Sequence, residues 1–198
     1  MTFCFAGAIA EKNGWDASGL DPNIYTVLRG QQRGVNMLQG LFSDVDLPLE
    51  HFNAVTAWLV YENLPSFFEE TRKVKDILRD GGVFALKISN FDFYKKMRFL
   101  LRAQAGRIIF SRLHIMGYPY QFGFTPRSLK DVFHRAGFSQ VGIGNYHLHT
   151  SLNSDLKPPV QRLEKVSKDV INTISGSIEV ASGRRNIIGP WLEVYAKK

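Results

Sequence analysis

The feature that most constrains this chain is Gly19-Leu20-Asp21-Pro22-Asn23, an apolar segment that ends in an acid and a proline. A strand from Asp16 to Leu20 with a carboxylate just past its end is how open α/β sheets hold a ribose, because one carboxylate can accept hydrogen bonds from both hydroxyls. The segment therefore points to an adenosine-containing cofactor. In such sheets a first strand and a glycine-rich turn stand roughly 20 residues before the acid. Only Met1-Thr2-Phe3-Cys4 occupies that place, so the sequence carries the second half of a cofactor motif without its first half.

Downstream, helix and strand signals alternate. Ala8 to Asn13 with Gly14 reads as a helix stub before the Asp16 to Leu20 strand. Ile24 to Gln32 continues as a helix capped by Gly34, and Val35 to Gln39 is a short strand ending at Gly40. The run Phe52 to Trp58 lacks a polar face, as expected of a central strand buried on both sides. Pro65 to Arg79 reads as a helix ended by Asp80-Gly81-Gly82, and the strand Val83 to Ile88 follows. Thr125-Pro126-Arg127-Ser128 starts a further helix that stops at Ala136-Gly137, with Thr as the cap and Pro in the first turn. The strand Gln140 to Tyr146 comes next. Pro159 to Ile174 is an amphipathic helix with Val160, Leu163, Val166, Val170 and Ile174 on one face, and a strand from Trp191 to Ala196 closes the series.

Composition narrows the class. A chain of 198 residues with 44% apolar content can bury one substantial core, so a single domain over 1–198 is expected. Cys4 alone excludes an intramolecular disulfide and a cysteine-based zinc site, which fits a reducing cytoplasm. No metal site is expected. Met1 to Ala10 is apolar, but no basic residue precedes it as a signal peptide requires. Between Phe91 and Arg135 nine bases face two acids, an excess equal to the chain's whole net charge of +7. That patch favours anionic partners.

The order of Gly19-Leu20-Asp21-Pro22, Leu38-Gln39-Gly40, Phe52-Asn53-Ala54-Val55, Leu78-Arg79-Asp80-Gly81-Gly82 and Phe124-Thr125-Pro126-Arg127-Ser128-Leu129 resembles class I S-adenosylmethionine-dependent methyltransferases, in particular their ubiquinone-type O-methyltransferase branch. The resemblance runs from about Ala8 to Tyr146 and includes the terminal strand. It implies a three-layer Rossmann-like α/β sandwich, mostly parallel, with a terminal antiparallel pair formed by Gln140 to Tyr146 and Trp191 to Ala196. By the same resemblance Asp21 holds the cofactor ribose, with Pro22 shaping the turn behind it. Leu41 and Phe42 flank the adenine, and Trp58 and Leu59 line the methionine end.

The chain departs from the family pattern in several places, among them Trp58-Leu59-Val60-Tyr61-Glu62-Asn63-Leu64, where the family favours an acid ahead of a Leu-Glu-His type sequence. Leu41-Phe42 stands where an acid usually receives the adenine amino group, Asn53 stands where an Asp is common, and Thr2 and Cys4 fall where the family has glycines. An N-terminally truncated fold is the expectation that follows, since the missing strand is the centre of the family's sheet.

Methyl transfer from a sulfonium needs mainly an in-line approach, and a hydroxyl acceptor adds the need for a base. His114, His147, His149 and Tyr61 are the candidates, and none has a partner visible in the sequence. No catalytic base is assigned. The basic, aromatic-rich insertion at about 91–122 sits where the family often places a substrate lid. Phe93, Tyr94, Phe99, Tyr118, Tyr120 and Phe122 among its bases suit a small-molecule or lipid-linked acceptor, anionic or aromatic, with nucleic acid or a membrane surface as the lesser alternative. Two readings stand side by side: a methyltransferase, and a degenerate, non-catalytic interaction domain with the same fold.

Overall fold

In the computed structural model the described residues are 14–104, 106, 107, 121–148 and 158–198. The helix expected from Ala8 to Asn13, the segment Met1 to Cys4, and His114, Tyr118, Tyr120 and His149 lie outside them. The chain divides into two compact units, Met1–His51 and Phe52–Lys198.

The first unit is a β-α-β element. Strand β1 (Ser18–Asp21), helix α1 (Ile24–Gln31) and strand β2 (Asn36–Gln39) follow in order, and the two strands pair in parallel from Ser18↔Asn36 to Asp21↔Gln39. Asn23 caps α1 by accepting from the Tyr25 N–H at 2.9 Å. The turn after α1 places Gly34 at φ +84°, a conformation that glycine adopts without steric cost. Val27, Val35 and Met37 form the buried cluster.

The second unit comprises β3 (Phe52–Trp58), a 3-10 turn (Tyr61–Asn63), α2 (Phe67–Ile77), β4 (Leu78–Ser89), α3 (Phe91–Arg102), α4 (Pro126–Arg135), β5 (Gln140–Asn145), α5 (Pro158–Ala181) and β6 (Trp191–Lys197). Its sheet has the order β3-β4-β6-β5, with β3 parallel to β4 and β6 antiparallel to both neighbours. The expected antiparallel pair of β5 and β6 is present. Phe84, Leu86 and Ile88 of β4 and Leu192, Val194 and Ala196 of β6 share one face and are buried. Against this face Tyr61 stacks on Phe133 and meets Phe84 edge-on. The opposite face carries Lys87, Glu193 and Gly144 in one row, and α5 covers it there: a Cβ on Gly144 would stand 3.0 Å from Glu179 Oε1. Helices on both faces make this unit a three-layer α/β sandwich.

Three expectations change. Among the described residues Phe52–Trp58 pairs with β4 alone, and Asn53, Ala54 and Thr56 are exposed, so the lack of a polar face in this run does not mark burial on both sides. Asp80-Gly81-Gly82 does not end a helix. Helix α2 stops at Ile77, the strand begins at once with Leu78, and the two glycines form an irregularity opposite Phe52 and Ala54. Gly81 has φ +76°, and a Cβ on Gly82 would lie 2.8 Å from the Arg79 carbonyl oxygen, so both positions need glycine. Finally, α5 turns its polar side inward. Glu164, Lys168 and Ser175 are buried, while Val166, Val170 and Ile174 are at least half exposed.

The reason for that reversal lies in what α5 meets. After β5 the backbone leaves the ladder, and its polar groups take partners from the helix. The Leu148 N–H donates to Asn172 Oδ1, Asn172 Nδ2 donates to the Leu148 carbonyl, and both Asn145 N–H and Asn145 Nδ2 donate to Glu179 Oε2. Buried backbone groups demand such partners, and this demand outweighs the apolar stripe.

Candidate functional site

Ligands of open α/β sheets bind at the carboxyl ends of the parallel strands. In the first unit that edge brings together Asp21, Pro22, Leu41 and Phe42. Asp21 ends β1 opposite Gln39, and the Gly40 N–H donates to the Asp21 carbonyl at 3.3 Å, so the two loops leave side by side. Asp21 Oδ1 accepts from the Asn23 N–H at 2.8 Å, which fixes the carboxylate at the strand end, and its Oδ2 takes no part in that turn. Leu41 is exposed and Phe42 half-buried. Asp21 thus stands at the strand end with Oδ2 outside the turn, and the Leu41-Phe42 pair offers an apolar surface without a polar handle.

In the second unit the same edge is formed by the ends of β3, β4 and β5 and the start of β6. Trp58 pairs with Lys87, and the Leu59 N–H donates to the Lys87 carbonyl at 2.9 Å. Leu59 has φ +58°, a strained conformation for a residue with a side chain, and such outliers gather where function over-determines the backbone. Lys87 Nζ lies 3.7 Å from the centroid of the Tyr146 ring and 5.0 Å from that of Trp191. Around them Leu148 and Trp191 form a buried cluster against which Leu59, Phe93, Met97, Tyr146 and Ile171 pack.

Charge is concentrated beneath this surface. Burial, with the nearby Lys168 ammonium adding to it, lowers the Lys87 pKa to about 8, although Glu62 acts the other way. Lys168 is itself buried and bonds Glu164 Oε1 at 2.6 Å. Glu62 Oε1 accepts from Ser89 Oγ at 3.1 Å, while its Oε2 has no hydrogen-bond partner among the described residues. Burial therefore pushes the Glu62 carboxyl above the usual carboxylate range. No group of three or more metal-ligating side chains occurs among the described residues.

Candidate bases fare unequally. Tyr61 belongs to the core on the other face: its hydroxyl meets Thr71 Oγ1 at 2.5 Å, and burial pushes its pKa up to about 12. His147 Nε2 meets Asn172 Nδ2 at 3.2 Å in the joint to α5. Of the lid aromatics, Phe93 reaches the Trp191 cluster, Phe99 is 68% exposed, and Phe122 packs on Phe67 at 5.0 Å. Sequence reasoning passed over Lys87, Glu62, Tyr146 and Trp191. The one signal was a lysine set inside the apolar run Phe84-Ala85-Leu86-Lys87-Ile88.

A family model described as a methyltransferase domain matches residues 5–141. The chain belongs to this methyltransferase domain family. Solved structures agree on the fold. An S-adenosylmethionine dependent methyltransferase from Mesorhizobium loti is similar with a TM-score of 0.61 at 11% identity, over 96% of this chain and 84% of its own. One from Archaeoglobus fulgidus reaches a TM-score of 0.55 at 16% identity, over 96% of this chain and 79% of its own. A Haemonchus contortus phospholethanolamine N-methyltransferase 2, in complex with phosphomonomethylethanolamine and S-adenosylhomocysteine, reaches 0.57 at 11% identity, over 100% of this chain and 47% of its own. No curated protein matches the chain. The cofactor of the class I methyltransferase fold is S-adenosylmethionine, whose sulfonium supplies an activated methyl group. Among the described residues of this methyltransferase domain, no helix is long and apolar enough to cross a membrane.

Proposed function

We propose that the chain works as one methyltransferase domain that moves a methyl group from S-adenosylmethionine to a small-molecule or lipid-linked acceptor. The observation that carries this reading is the carboxyl edge of β3 and β4, where Trp58, Leu59 and Lys87 meet an aromatic, half-buried surface. Asp21 would hold the ribose with Pro22 behind it. Leu41 and Phe42 would flank the adenine, and Trp58 and Leu59 the methionine end. The insertion at about 91–122 would act as the acceptor lid, with Phe93 and Met97 already turned to the site. The Haemonchus contortus enzyme is in complex with the small, phosphate-bearing phosphomonomethylethanolamine, which supports an acceptor of that size.

Calorimetry with S-adenosylmethionine and S-adenosylhomocysteine tests the reading. Micromolar binding that falls at least tenfold in Asp21→Ala is expected. Absence of binding at millimolar cofactor would favour the non-catalytic interaction domain.

A further inference from the structure

We propose that Lys87, seated between the rings of Tyr146 and Trp191, anchors the acceptor, and that the acceptor presents an anionic oxygen, such as a carboxylate, on a flat or apolar body. This rests on the methyltransferase reading above and specifies its substrate class. A half-buried ammonium ordinarily takes a carboxylate partner, yet among the described residues Lys87 forms no ion pair. Glu164 bonds Lys168, Glu193 meets the Tyr195 hydroxyl, and Glu62 bonds Ser89 through Oε1, its Oε2 having no hydrogen-bond partner among the described residues.

The rings hold the charge without neutralising it. Cation–π contact favours the ammonium over the faces of Tyr146 and Trp191 and leaves its N–H donors for another group. A second cation, Lys168 on α5, lies close enough to depress the Lys87 pKa. An anion placed at Lys87 would relieve that repulsion. With a pKa of about 8 the ammonium still predominates at pH 7, so Lys87 serves as an anchor there rather than as a base. Leu59, Phe93, Met97 and Leu148 supply the apolar lining that an aromatic or acyl body requires.

The chemistry then needs no proton acceptor. The anionic oxygen attacks the sulfonium methyl carbon, the new O–C bond forms as the C–S bond breaks, and the electron pair returns to sulfur. One positive and one negative charge cancel, giving a neutral ester or ether and S-adenosylhomocysteine. Among the described residues the cluster around Lys87 contains no histidine, which suits an acceptor that arrives already ionised.

Binding of salicylate and 3-phenylpropionate, each against its neutral amide, tests the proposal in the presence of S-adenosylhomocysteine at pH 7. At least one acid should bind tenfold or more tightly than its amide. Lys87→Met should abolish that preference, and Lys87→Arg should restore most of it by keeping the charge. Equal affinity for acids and amides, or an acid preference that survives Lys87→Met in a protein with an unchanged far-UV spectrum, would overturn it. The cofactor titration is read separately: acid preference that depends on Lys87, with no S-adenosylhomocysteine binding, would sink the methyltransferase reading and leave the anion site standing.

Discussion

The two units solve the same folding problem with unequal means. Among its described residues Met1–His51 buries Val27, Val35 and Met37 against a two-stranded sheet, and leaves Trp15, Tyr25, Leu38 and Leu49 exposed. Phe52–Lys198 buries a row of strand residues beneath Tyr61, Phe84, Phe133 and Phe138, whose rings contact one another at 5.3 to 6.5 Å. A two-stranded sheet is marginal alone, whereas four strands with an aromatic layer carry their own stability. The lesson is that Asp21, expected to hold a ribose, stands on the weaker scaffold, and Lys87, proposed to anchor the acceptor, on the stronger one.

Hydrogen exchange gives the largest contrast. The amides of Leu86, Leu192 and Val194 should exchange on the order of a thousandfold more slowly than those of Met37 and Leu38, because core strands open only with global unfolding. Equal protection would break the comparison. Phe133→Ala should cost about 3–5 kcal/mol by leaving a cavity in the ring cluster. Urea titration should show that loss at Trp58 and Trp191 fluorescence before any change in the shape of the amide-exchange pattern of β1.

Lys87→Met should stabilise the second unit at pH 7 while destroying the anion site. The sign follows from the depressed pKa: between about 8 and 10.5 the unfolded chain holds the proton more firmly, so stability rises with pH across that window. Below 8 the full cost of burying the ammonium is present. Removing it should gain roughly 1–2 kcal/mol at pH 7 after the lost ring contacts are discounted, and should flatten the pH dependence above 8. A loss of stability at pH 7 would mean that the rings compensate the buried charge fully. Smaller still, Thr125→Ala removes one side of the Thr125 and Ser128 capping box and should cost about 1 kcal/mol by thermal melting.

Much of this architecture was legible before any coordinates. The Thr125-Pro126 start, the strand at Gln140, the closing strand at Trp191 and the helix after Asn23 depend on local signals, namely caps, glycines and apolar runs, and local signals travel in the sequence. The position of Asp21 at the end of a strand was legible for the same reason. What failed was non-local. Whether Phe52–Trp58 is central depends on which strands flank it, and the side of α5 that packs inward depends on unpaired backbone at Asn145 and Leu148. Lys87 was missed because its importance comes from strand parity: one position along β4 in either direction would have put it among phenylalanines. The ring of Trp191 arrives from the start of β6 and that of Tyr146 from the segment just past β5, both far along the chain.

The inward polar side of α5 sets how that helix responds to temperature. A joint made from amide and carboxylate hydrogen bonds exposes little apolar surface when it parts, so its opening carries a small heat-capacity change. Apolar contacts weaken on cooling, and to the apolar cluster beside this joint the described residues of α5 contribute Ile171 alone. Helix α5 should therefore stay latched over β5 in the cold, when the phenylalanine layer on the opposite face is losing its hold.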